Sequence, residues 1–98
     1  GCNDRAQLAE LGAELNRRIL RGWMAQGVGV VDPASTWVDV TAELAQDVIL
    51  EQGVLVRGTT RIGQGARVGA YAILTDAVIP AGCVVAPFSQ LDADAAQA

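Results

Sequence analysis

Two hydrophobic periodicities divide the chain. In the first quarter, Leu8, Leu11, Leu15, Ile19 and Trp23 recur at spacings of three and four, which places them on one face of a helix. Asn3 or Asp4 can serve as its N-cap, and Asp4 with Gln7 three residues later forms the pattern of a capping box. The helix is predicted from Asp4 to about Gln26, with Gly27 closing it in a left-handed conformation. Glu14 and Arg18 make an i,i+4 pair on the other side. Arg17, Arg18 and Arg21 fall late in the helix, where positive charge suits the dipole. They read as a solvated helix end, with phosphate binding as the alternative. Gly12 is a weak point, costing about 1 kcal/mol relative to Ala.

From residue 31 the period lengthens to six. Val38, Leu44, Leu50, Val56, Ile62, Val68 and Leu74 are aliphatic at every step. Four residues further on in the first six units stand Ala42, Val48, Val54, Thr60, Ala66 and Ala72, all small or β-branched. The phase slips once, at the five-residue unit Leu74–Val78, and resumes at Ile79, Val85 and Leu91, with Cys83 and Ser89 in the small positions. Upstream, residues 31–36 read as one more unit and Trp37 as an extra residue. A fixed short period is the signature of a solenoid. Each unit supplies a short strand and a turn, and three units close a triangular coil of about 18 residues. The fold expected is mainly β: a short left-handed parallel β-helix of hexapeptide repeats, about three coils, preceded by one long α-helix. Gly63 and Gly69, next to aliphatic positions, are expected to ease turns. The divisions are 1–27 for the helix, 28–91 for the β-helix and 92–98 for a polar tail.

Three coils stand only about 15 Å tall, whereas a helix of some 22 residues is about 33 Å long. Part of its apolar face is therefore expected to pack on another chain or another domain. The last coil leaves a strand edge that needs a cap or a partner. A β-helix this small is expected to oligomerise.

Composition narrows the chemistry. The chain has 98 residues, a net charge of −4 and a pI near 4.5, which argues against a nucleic-acid or anionic-membrane partner. No apolar run approaches the roughly 20 residues that cross a bilayer. The first residues form no signal peptide and lack an initiator Met, so the chain reads as processed or as a piece of something longer. Cys2 and Cys83 read as free thiols of a reducing, cytoplasmic setting, with Cys83 in the core. There is no histidine, and all seven basic residues are arginine. The commonest general base and the amine nucleophile are both missing, so no catalytic residue is assigned and the chain alone is expected to be inactive. Asp32 before Pro33 reads as a turn former. Arg57, Arg61 and Arg67 read as an exposed stripe on the coil faces. Trp23 and Trp37 could pack together or bury at a trimer contact, and Tyr71 and Phe88 read as packing residues.

The residues Gly1-Cys2-Asn3-Asp4-Arg5-Ala6-Gln7-Leu8-Ala9, the pair Arg17-Arg18, the stretch Gly27-Val28-Gly29-Val30-Val31-Asp32-Pro33 and Ala86-Pro87-Phe88 occur in that order. Together they resemble the bacterial bifunctional N-acetylglucosamine-1-phosphate uridylyltransferase/glucosamine-1-phosphate acetyltransferase family: the end of its nucleotidyltransferase domain, its linker helix and the first coils of its β-helix. The resemblance implies a parent that makes UDP-N-acetylglucosamine from UTP and N-acetylglucosamine-1-phosphate, with Mg²⁺ and a sugar nucleotide bound in a domain this sequence does not contain. It implies that Asn3 is a Mg²⁺ ligand when that domain is present; on this chain alone Asn3 reads as a helix cap. The family continues Pro-Phe-x-x-Leu-Arg, where this chain reads Pro87-Phe88-Ser89-Gln90-Leu91-Asp92, reversing the charge offered to a phosphate. A shortened, uridylyltransferase-only parent ending here is the expectation. The alternatives are a stand-alone trimerisation module without chemistry and, third, the remnant of a hexapeptide acetyltransferase.

Overall fold

The computed structural model describes residues 4–93. Helix α1 spans Arg5–Ala25. Asp4 caps its start, its side chain accepting from the Gln7 backbone N–H at 2.7 Å. At the other end Gly27, with φ of 98°, donates to the Met24 carbonyl, and Val28 N–H reaches back to Trp23. These paired bonds satisfy carbonyls that the helix leaves open and turn the chain sharply into the solenoid.

Eleven short strands follow: β1 (Gly29–Val30), β2 (Trp37–Val38), β3 (Glu43–Leu44), β4 (Ile49–Leu50), β5 (Leu55–Arg57), β6 (Arg61–Ile62), β7 (Arg67–Val68), β8 (Ile73–Thr75), β9 (Val78–Ile79), β10 (Val84–Val85) and β11 (Gln90–Leu91). They stack as three parallel sheets, β1-β4-β7-β10, β2-β5-β8-β11 and β3-β6-β9, giving a β-solenoid of about four turns. All seven aliphatic positions from Val38 to Leu74 are buried, as are all six small positions from Ala42 to Ala72. The core is a single column of these side chains, into which Leu20 of the helix also fits.

The register shows where the repeat departs from six. Val38 pairs with Val56 and Leu44 with Ile62, 18 residues apart. Ile62 pairs with Ile79 and Val68 with Val85, 17 apart, after the five-residue unit. Thr60 closes that shortened corner from inside. Its hydroxyl donates to the Arg57 carbonyl at 2.7 Å and accepts from Ala77 N–H at 3.2 Å.

The first turn differs from expectation. Val30, not Val31, takes the aliphatic place, pairing with Leu50 across 20 residues, and Val31 is 60% exposed. Trp37 is no extra residue: Thr36 fills the small inward position and Trp37 points outward. The surplus residues lie in the corner at Asp32-Pro33-Ala34-Ser35. There the Asp32 carboxylate accepts from Ala34 N–H at 3.3 Å and from the Ser35 hydroxyl at 2.8 Å. A side chain that bonds its own turn makes the wider corner stable.

Gly63 and Gly69 also act differently. Neither has a positive φ. A Cβ at Gly63 would overlap the Ala81 backbone, and one at Gly69 the Pro87 backbone. They are glycines because the next turn passes too close.

Candidate assembly interface

The helix meets the solenoid through its C-terminal half. Asn16 and Leu20 are buried, with Ile19 and Trp23 packed partly against the core. The predicted stripe therefore splits. Ile19 and Trp23 touch the solenoid, while Leu8, Leu11 and Leu15 are 58%, 65% and 55% exposed. The reason is length: residues 4–11 are all exposed, and the solenoid ends before them.

Of these leucines, Leu15 adjoins an apolar surface on one sheet. Trp37, Leu55 and Ile73 lie in one outward column of β2-β5-β8, paired in register. Trp37 is 42% exposed. Between this face and the helix runs a groove of about 340 Å³, lined by Gly12, Leu15, Asn16, Ile19, Trp37 and Val40 among others. Val40 is 75% exposed. The other faces carry ion pairs at comparable places, Arg61 to Glu43 at 3.0 Å and Arg67 to Glu51 at 3.0 Å. An apolar band beside charged faces is the surface a protein partner fits.

The residues singled out in the sequence scatter. Asn3 and Cys2 lie outside the described residues. Cys83 is a free, half-buried thiol in a small inward position. Asp32 is bound up in its turn. Arg57, Arg61 and Arg67 are exposed but sit on β5, β6 and β7, which belong to three different sheets. They form no single stripe, because successive strands turn to successive faces. Arg17 and Arg18 both bond Glu14, at 2.6 and 3.2 Å. The hydrogen bond from Arg17, then that from Arg18, holds the Glu14 carboxyl below its ordinary range. The last turn of the helix carries no basic residue, so the dipole argument for this cluster lapses. Trp23 packs at the helix end and Trp37 on the outer face. The ring pair found among the described residues is Tyr71 with Phe88, stacked at 5.4 Å and 15° on a corner of the last turns. Among the described residues no group of three or more His, Cys, Asp or Glu could hold a metal ion, and no helix is long and apolar enough to cross a membrane.

Asn16 and Leu20 were not legible as contact residues. Asn16 is polar and breaks the helical stripe, and Leu20 lies one step off it. The outward column Trp37, Leu55, Ile73 does recur every 18 residues, so it could have been found by following one face of the repeat.

No family model matches the chain. Among curated proteins it is similar to the bifunctional protein GlmU of Kineococcus radiotolerans, 55% identical over 85 residues, which is 87% of this chain and 17% of that protein. The bifunctional protein GlmU of Micrococcus luteus is 52% identical over 85 residues, again 87% of this chain and 17% of its own length. The one from Cutibacterium acnes is 44% identical over 107 aligned positions, covering 93% of this chain and 26% of that protein. The chain thus spans about a quarter or less of the relatives it matches.

Proposed function

Because this chain is homologous to a segment of the bifunctional GlmU family, 44–55% identical to it over most of its own length, we propose that it is the linker helix and β-helix assembly segment of an N-acetylglucosamine-1-phosphate uridylyltransferase. The observation that carries this is the helix. Its first two turns, with Leu8 and Leu11, extend past the solenoid and cover nothing of it. A segment that joins a preceding catalytic domain to an assembly core has a use for that surface.

In this reading the chain contributes no chemistry by itself. Mg²⁺ takes several oxygen ligands in near-octahedral geometry, and in this reading the preceding domain supplies most of them. Asn3 would be one ligand of a site completed by the preceding domain. UTP and N-acetylglucosamine-1-phosphate would bind there too, in a cytoplasmic enzyme. The apolar band of Leu15, Trp37, Val40, Leu55 and Ile73 would hold three copies together, covering side chains that are exposed (Leu15, Trp37, Val40) or half-buried (Leu55, Ile73) in one chain.

Mixing the chain with UTP, N-acetylglucosamine-1-phosphate and Mg²⁺ is expected to yield no UDP-sugar, while the full-length gene product under the same conditions does. Turnover by this chain, or none by the full-length protein, would overturn the proposal. The second reading, a stand-alone trimerisation module, draws on the complete absence of His and Lys. It predicts that the full-length product is also inactive.

A further inference from the structure

Asn16 is 5% exposed and bonded at both ends of its carboxamide. Nδ2 donates to the Thr36 carbonyl at 2.7 Å, and Oδ1 accepts from Val38 N–H at 3.1 Å. These are groups of β2 and the residue leading into it, at the outer edge of its sheet. One turn further on, the equivalent carbonyl of Val54 accepts from Trp37 N–H of the neighbouring strand at 3.0 Å. A side-chain amide has the same donor and acceptor as a peptide group. Asn16 thus offers β2 what a preceding strand would offer it.

Two bonds at separate points on one strand also fix the helix. Sliding it by one turn, about 5.4 Å, would bring Gly12 or Leu20 to this place, and neither can make the pair. The other side-chain amide within Arg5–Ala25 is Gln7, nine residues away. We propose that Asn16 is a positioning residue that keys the helix to the solenoid. By setting the helix's rotation and slide, it decides where Leu8, Leu11 and Leu15 face relative to Trp37, Leu55 and Ile73. This concerns only the helix and the solenoid and stands whether or not a catalytic domain precedes them.

The test uses the 98-residue chain with Cys2→Ser and Cys83→Ala, spin labels at exposed positions 7 and 64, and dilution into unlabelled chain so that distances are intramolecular. Hydrogen exchange at Val38 N–H is followed in parallel, without labels. In the parent background the distance distribution is expected to be narrow and Val38 protected. Asn16→Ala is expected to broaden the distribution and speed Val38 exchange by about tenfold or more. Asn16→Leu fills the same space without either bond and is expected to behave as Asn16→Ala does, which a merely space-filling role would not predict, and Asn16→Asp adds a pH-dependent readout. As a protonated acid the new side chain can still donate to the Thr36 carbonyl, and as a carboxylate it cannot. The distance distribution of this variant should match the parent's in acid and depart from it once the acid ionises. If Asn16→Ala fails to fold, the titration of Asn16→Asp decides alone. Parent-like distances and Val38 protection in Asn16→Ala, or a distribution in Asn16→Asp that ignores pH, would overturn the proposal.

Discussion

Individual residues here are chosen for what the neighbouring turn allows. Gly69 has an ordinary φ but no room, and Gly65 has room but a φ of 75°. The two should respond differently to the same substitution. Asn tolerates the left-handed region better than most residues, so Gly65→Asn is expected to cost no more than about 1 kcal/mol. Gly69→Asn or Gly69→Ala should cost about 1–3 kcal/mol through overlap with the Pro87 backbone. Chemical denaturation of the three variants checks this. Glu14 supplies a pH signature. Its folded carboxyl is held below the ordinary value by Arg17 first and Arg18 second. Its contribution to stability is therefore present above the ordinary carboxylate range and lost as pH falls through the lowered value. An NMR titration of the Glu14 side chain should show the lowered midpoint, and Arg17→Gln should return it toward normal more than Arg18→Gln does.

At the scale of elements, the repeat was legible because burial is periodic. Every aliphatic step from Val38 to Leu74 reappears as a buried inward side chain, and the slip after Leu74 reappears as a change of register from 18 to 17. The entry to the solenoid was not legible. The Asp32 corner holds extra residues through side-chain bonds within its own turn, which no hydrophobic period reports. The helix was legible as a helix but not in its contacts. The stripe from Leu8 to Trp23 marks what it can bury, and only the C-terminal half has a solenoid to bury against. The key contact is Asn16, whose polarity argued against it. The shortened corner makes a separate prediction. Thr60→Val keeps the shape but removes the acceptor for the buried Ala77 N–H, so it should cost about 1–3 kcal/mol. Removing the Thr41 hydroxyl, which donates to the Gly58 carbonyl at an exposed corner, should cost less, because water replaces it. Thermal unfolding of the two variants compares them.

The whole molecule is a narrow prism with a helix extending past one end, measuring 46 × 28 × 20 Å. One face carries the outward column Trp37, Leu55 and Ile73, and the other two carry the ion pairs Arg61–Glu43 and Arg67–Glu51. If three copies meet on the β2-β5-β8 face, Leu55→Glu is expected to shift the sedimentation mass from three times 10.2 kDa toward 10.2 kDa, while Arg61→Gln on another face leaves the trimer intact. What the homology proposes beyond this, a nucleotidyltransferase domain ahead of the helix, concerns residues outside this sequence. The intact mass of the native gene product in its source cells tests that most directly. The account predicts a mass several times 10.2 kDa, with this sequence inside a longer chain. A native product of about 10.2 kDa would contradict it and leave an oligomeric β-helix scaffold in its place.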